Sequence, residues 1–155
     1  MAEGRKPKRE MSLPARALKL LALREHTRLE LGRKLMRYTE DADEIARVLE
    51  DFERRGWLSE ARALAQTIVA RRGRLGAQRI RRELQQKGHA PGAVAAVLPA
   101  LRAGDLDAAR AVWQKRFGSA PRTLAERAKQ VRFLQGRGFE HETIKRVIGD
   151  ADDDA

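Results

Sequence analysis

Apolar residues recur along the chain at helical spacing, and the breaks between runs carry the residue types that start and stop helices. Leu13, Ala17, Leu20 and Leu21 share one side of a segment opened by Ser12 and Pro14, a cap followed by a first-turn proline. Thr27 with Glu30, and Thr123 with Glu126, have the spacing at which hydroxyl and carboxylate each satisfy an orphan backbone N–H. Asp41 with Glu44 resembles it and opens a face of Ile45, Val48, Leu49 and Phe52, which Gly56 ends. Ser59 starts the run of Ala61, Leu64, Ala65, Ile68 and Val69. Gly73, Gly76 and Gly88 then bracket a short basic helix around Ile80 and Leu84. Pro91 leads into Val94, Val97, Leu98 and Leu101, and Asp105 into Leu106, Ala109, Val112, Trp113 and Phe117. Val131 and Leu134 follow Thr123, and a last helix spans Glu140 to Ile148. Sustained strand-like alternation is absent, so the pattern predicts an all-α chain of about nine short helices.

The register of these helices repeats. Counting 10, 13 and 14 residues on from Leu35 gives Ile45, Val48 and Leu49. The same counts from Leu84 give Val94, Val97 and Leu98, and from Leu134 they give Ile144, Val147 and Ile148. Offsets of 49 and 50 residues are those of a repeat architecture. Arg33, Arg82 and Arg132 each stand two residues before an anchor leucine. Gly88 and Gly138 stand four after the second and third anchors, where a left-handed residue can end a helix; the first unit has Thr39 there. A lone helix pair buries too little surface to offset chain ordering, so each unit reads as three helices. The expected organisation is an elongated array of three tandem three-helix units at 12–56, 57–103 and 104–149. A basic flexible N-terminus, 1–11, precedes them, and an acidic flexible tail, 150–155, follows.

Charge bears on partners. The 155 residues hold 33 Lys and Arg against 22 Asp and Glu, a net +11. Between Arg54 and Lys87 ten basic residues face only Glu60 and Glu83. Such a field attracts nucleic acid or an acidic protein surface. Arg79, Arg82, Gln86 and Lys87 share a stripe opposite Ile80 and Leu84, entered by Arg71, Arg72 and Arg74. Arg33 with Arg37, and Lys129 with Arg132, form similar pairs in the outer units. An alternative reading makes residues 76–87 the recognition helix of an independent helix-turn-helix nucleic-acid binder.

Catalytic chemistry has little to work with. The absence of cysteine excludes disulfides and thiolate chemistry. No serine has a nucleophile elbow, no phosphate-cradling glycine string occurs, and Lys145 breaks the zinc spacing after His141-Glu142. The expectation is a non-enzyme without cofactor or metal. His26 reads as a turn residue held by a local hydrogen bond. His89, whose counterpart is Phe139, reads as a loop residue packed onto the helices, and Trp57 and Trp113 as apolar anchors closing small cores. No apolar run approaches the roughly 20 residues that span a bilayer, and the basic N-terminus lacks a signal-like stretch. A cytoplasmic monomer is expected.

Three strings then form a recognisable set. Residues 17–35, ALKLLALREHTRLELGRKL, resemble the opening signature of the RecX regulatory protein family, ALxxLxxREHSRxELxxKL. Residues 72–88, RGRLGAQRIRRELQQKG, are similar to its GxxRIxxELxxKG segment, and residues 132–148, RFLQGRGFEHETIKRVI, to its closing RFLxRRGFxxxxIxxVL. The resemblance implies tandem three-helix units in an elongated, curved molecule. It also implies a partner: the RecA recombinase filament on single-stranded DNA, whose groove such proteins occupy, restraining growth and inhibiting ATPase and strand exchange. DNA itself, single- or double-stranded, is a further candidate partner. On this basis Arg24, His26, Lys34 and Arg137 join Arg33, Arg37, Arg71, Arg72, Arg79, Arg82, Lys87, Lys129 and Arg132 as the expected partner-facing basic surface. One departure is local. Where the family commonly has Asp-x-Arg-Phe-Ala, this chain has Glu60-Ala61-Arg62-Ala63-Leu64, and Leu64 is expected to take over the missing aromatic's packing.

Overall fold

A computed structural model describes residues 10–153, in which nine helices and no strand occur. They are α1 (Leu13–Leu23), α2 (Arg28–Leu35), α3 (Ala42–Arg54), α4 (Glu60–Arg71), α5 (Ala77–Gln86), α6 (Pro91–Ala103), α7 (Asp105–Arg116), α8 (Leu124–Gly136) and α9 (His141–Asp153). The expected basic N-terminal segment lies outside the described residues, apart from Glu10 and Met11. The acidic tail expected from residue 150 does not begin there: α9 continues to Asp153, and the Asp150 carboxylate pairs with Arg110 on α7.

The starts of the helices follow from their caps. The Ser12 hydroxyl accepts from the Ala15 N–H, with Pro14 in the first turn. Thr27 and Glu30 form the full reciprocal box at the start of α2, each side-chain bond 3.1 Å. Asp41 caps α3, but Glu44 turns to the Thr39 hydroxyl instead of completing a box. Thr123 caps α8, while the Glu126 carboxylate accepts from Arg122 N–H one residue too early.

Two compact units result, Met1–Glu60 and Ala61–Ala155. In the first, α1, α2 and α3 enclose Leu13, Ala17, Leu31, Leu35, Ile45, Val48, Leu49, Phe52 and Leu58. Glu60 closes this unit by accepting from the Arg28 N–H at 2.7 Å. Trp57 is not the expected anchor. Its indole is 42% exposed, edge-on to Phe52 and under the Arg55 guanidinium, because Phe52 already occupies the interior beside it.

The second unit holds two three-helix sets with separate cores. Helices α4–α6 pack around Ala77, Ile80, Leu84, Val94 and Leu101, with Leu64 and Ile68 at the margin. At the family's phenylalanine position Ala63 is buried, and Leu64 is only partly so. Helices α7–α9 pack around Ala109, Trp113, Leu134, Phe139, Ile144, Val147 and Ile148. Trp113 is the anchor expected of it, its indole N–H donating to Gln130 Oε1 at 2.8 Å. The three anchor leucines, Leu35, Leu84 and Leu134, are fully buried, and Arg33, Arg82 and Arg132 two places before them are all exposed. Leu84→Ala is therefore expected to cost about 2–5 kcal/mol, read by chemical denaturation.

The two sets of the second unit meet through backbone. Gly76 N–H donates to the Arg137 carbonyl at 2.8 Å, and a Cβ at Gly76 would overlap the Gly138 carbonyl. Asp105, buried at the start of α7, accepts at 3.0 Å from both the Arg72 guanidinium and the Ala77 N–H. It thus caps α5, whose own N-cap, Gly76, has no side chain to do so. Burial pushes the Asp105 carboxyl above its ordinary 3.8, against the opposing pull of Arg72 and the Ala77 N–H.

Candidate functional site

The expected basic residues separate into held and available groups. In the first unit Arg24 is tied to the α1–α2 turn, with Nη2 2.7 Å from Glu30 Oε2 and Nη1 donating to the Glu25 carbonyl. His26 corrects the expectation of a partner-facing basic side chain, being 1% exposed. Its Nδ1 lies 2.9 Å from the Arg24 carbonyl oxygen and its Nε2 2.8 Å from Lys34 Nζ, so the ring acts as a strut under the turn. Lys34 is half-buried in the same contact, whereas Arg33 and Arg37 reach solvent.

Desolvation, aided by the charges of Arg24 and Lys34, lowers the His26 pKa below 6.5, against the bond to the Arg24 carbonyl. An unfolded chain therefore takes up this proton first. Stability of the first unit is whole above about pH 6.5 and falls with pH until the lowered folded-state value is passed. Melting followed from about pH 7.5 to 5 should show this loss, and His26→Gln should flatten the slope.

In the second unit the stripe forms a cleft. Arg71, Arg74, Arg79, Arg82 and Arg137, with Leu75, Glu83 and Gln86, line about 390 Å³. Glu83 is the single carboxylate there, and both its oxygens lie 3.1 Å from Arg71 Nε. Arg79 donates to the Gly136 carbonyl, which leaves its charge unopposed. Arg74 and Arg82 have no carboxylate partner among the described residues and are exposed.

Other expected members lie elsewhere. Arg72 turns to Asp105 and to the Leu101 carbonyl, away from the cleft, although its neighbours Arg71 and Arg74 line it. Lys87 is held by the Thr67 hydroxyl at 3.0 Å and by Glu83 at 3.8 Å. Lys129 borders a separate depression with Arg122 and Glu126, and Arg132 is exposed outside both. Sequence reasoning missed Lys115 and Arg116. They line a second cleft of about 420 Å³, beside Phe133, that shares Arg74 and Arg137 with the first. Two basic residues in a helix's last turn are ordinary macrodipole chemistry, so nothing in the sequence marked them.

Among the described residues no group of three His, Cys, Asp or Glu could hold a metal ion, and no helix is long and apolar enough to cross a membrane. The described residues thus form an all-helical protein of three-helix sets, the second unit carrying a concentrated arginine surface. A family model described as RecX, third three-helix domain, matches residues 104–148. A regulatory protein RecX of Leptothrix cholodnii is 46% identical over 143 residues, covering 92% of this chain and 91% of that one. Its counterpart in Ralstonia nicotianae is 41% identical, covering 94% and 92%. The crystal structure of RecX from Lactobacillus salivarius superposes with a TM-score of 0.68 at 18% identity, over 90% and 94% of the two chains. The chain belongs to the RecX family of regulatory proteins.

Proposed function

We propose that this protein is a non-catalytic modulator of a RecA-type recombinase, docking on the recombinase–single-stranded DNA filament and lowering its ATPase, growth and strand exchange. It acts as a monomer in the cytoplasm, through three three-helix units bounded near 12–56, 57–103 and 104–149. The observation that carries this reading is 46% identity to a regulatory protein RecX across nearly the whole of both chains. The arginine cleft supplies a surface suited to it, since unopposed guanidinium groups recognise carboxylate and phosphate alike.

The recognition-helix alternative needs the first turn of α5 to enter a DNA groove. Gly76 and Ala77 are instead buried, the former against Gly138 and the latter capped by Asp105. The filament reading is therefore preferred. Its test is the DNA-stimulated ATPase of a purified RecA recombinase, on growing and on preformed filaments. Suppression is expected at amounts of this protein too small to coat the DNA. Suppression only at DNA-saturating amounts, relieved by adding more DNA, would favour simple competition for phosphate instead.

A further inference from the structure

We infer that the two clefts joined by Arg74 and Arg137 form a nucleotide subsite, with phosphate held in the arginine cleft and an unstacked base against Phe133. This deepens the filament reading and rests on it only for where such nucleotides are met.

The two clefts differ in kind. The first is walled by guanidinium groups, of which only Arg71 is neutralised, by Glu83. The second has an aromatic floor. The Arg137 guanidinium lies 5.0 Å and the Arg116 guanidinium 5.7 Å from the Phe133 ring centroid, and Phe117 meets that ring edge-on at 5.3 Å. Arg116 and Arg137 have no carboxylate partner among the described residues, so both can leave the ring for a phosphate without breaking an ion pair.

Volumes of about 390 and 420 Å³ are of small-molecule scale, and each suits one part of a nucleotide. A cationic track beside an aromatic face is the combination that binds unpaired bases without sequence preference. A duplex offers phosphates to the first cleft but keeps its bases stacked away from the second. An acidic peptide would use the arginines and leave Phe133 idle. The shared chemistry is a phosphorylated nucleotide with a free base face, supplied either by a single strand or by a nucleoside triphosphate.

The test uses the full chain with no recombinase, so its failure leaves the ATPase experiment standing, and the reverse holds. The probes are a short fluorescent oligothymidylate, an abasic oligomer of equal length, ATP and polyglutamate. Oligothymidylate should bind more tightly than the abasic oligomer. Phe133→Leu keeps apolar bulk in the core but removes the ring. It should weaken oligothymidylate binding about fivefold or more and leave abasic binding unchanged. Arg74→Glu should weaken both about tenfold and flatten the salt dependence. Circular dichroism verifies that both variants fold. Competition by ATP would point to free nucleotide as a source, and its absence to the strand. The inference is overturned if neither oligothymidylate nor ATP binds, if Phe133→Leu affects both oligomers equally or neither, or if polyglutamate alone occupies the surface.

Discussion

Replacing Gly138 by alanine is expected to destabilise the second unit by more than about 3 kcal/mol, measured by urea denaturation. Two costs combine. Gly138 has φ +89°, a conformation an L side chain adopts only with strain. The added Cβ would also sit on the Arg79 Cβ and 2.7 Å from the Arg79 nitrogen, where α5 passes against the end of α8. Neither neighbour can yield, since the Arg79 nitrogen is helix backbone. Gly136, two residues earlier and still in α8, has nothing within 4 Å of the equivalent position. Alanine there should be neutral or stabilising by up to about 1 kcal/mol. The opposite signs at neighbouring glycines make the pair diagnostic of the contact.

The second large effect concerns activity. The double change Arg74→Glu, Arg82→Glu moves the cleft by four charge units without removing an ion pair seen among the described residues. Helicity and melting should stay close to the parent, while the amount needed to inhibit a RecA-type ATPase should rise at least about tenfold. Lys87→Glu is a poor substitute for either change. It would lose the Thr67 bond and set a carboxylate beside Glu83, so reduced inhibition there would mix lost binding with lost stability.

Local and periodic information made much of the fold readable in the sequence. Leu35, Leu84 and Leu134 share a register because each helix must present the same apolar face to two others, and that demand is written every few residues. Caps at Ser12, Thr27, Asp41 and Thr123 are equally local. What escaped were contacts between residues far apart. Asp105 was legible as a helix start, but its carboxylate serves α5, 28 residues upstream. Arg71, Arg72 and Arg74 look alike in a string, yet Arg72 turns inward because one carboxylate and one carbonyl wait for it on α6 and α7. His26 is legible as a hydrogen-bonded turn residue, but only packing reveals that the turn folds over it and takes it off the basic surface. Phe133 belongs to a recognisable motif, but its neighbours Lys115 and Arg116 come to it through tertiary packing alone.

The cap that Asp105 provides has a consequence for the order in which the chain is made. The first unit finds all its core partners between Leu13 and Leu58, so it can close as soon as that stretch has left the ribosome. Helix α5 cannot. Its first N–H waits for Asp105, and the Gly76 N–H waits for Arg137, some sixty residues later in synthesis. Residues 61–103 therefore emerge with the start of α5 uncapped, and it stays open until the last third of the protein arrives to close it. A nascent chain halted near residue 110 should be protease-resistant up to about Glu60 and sensitive beyond it.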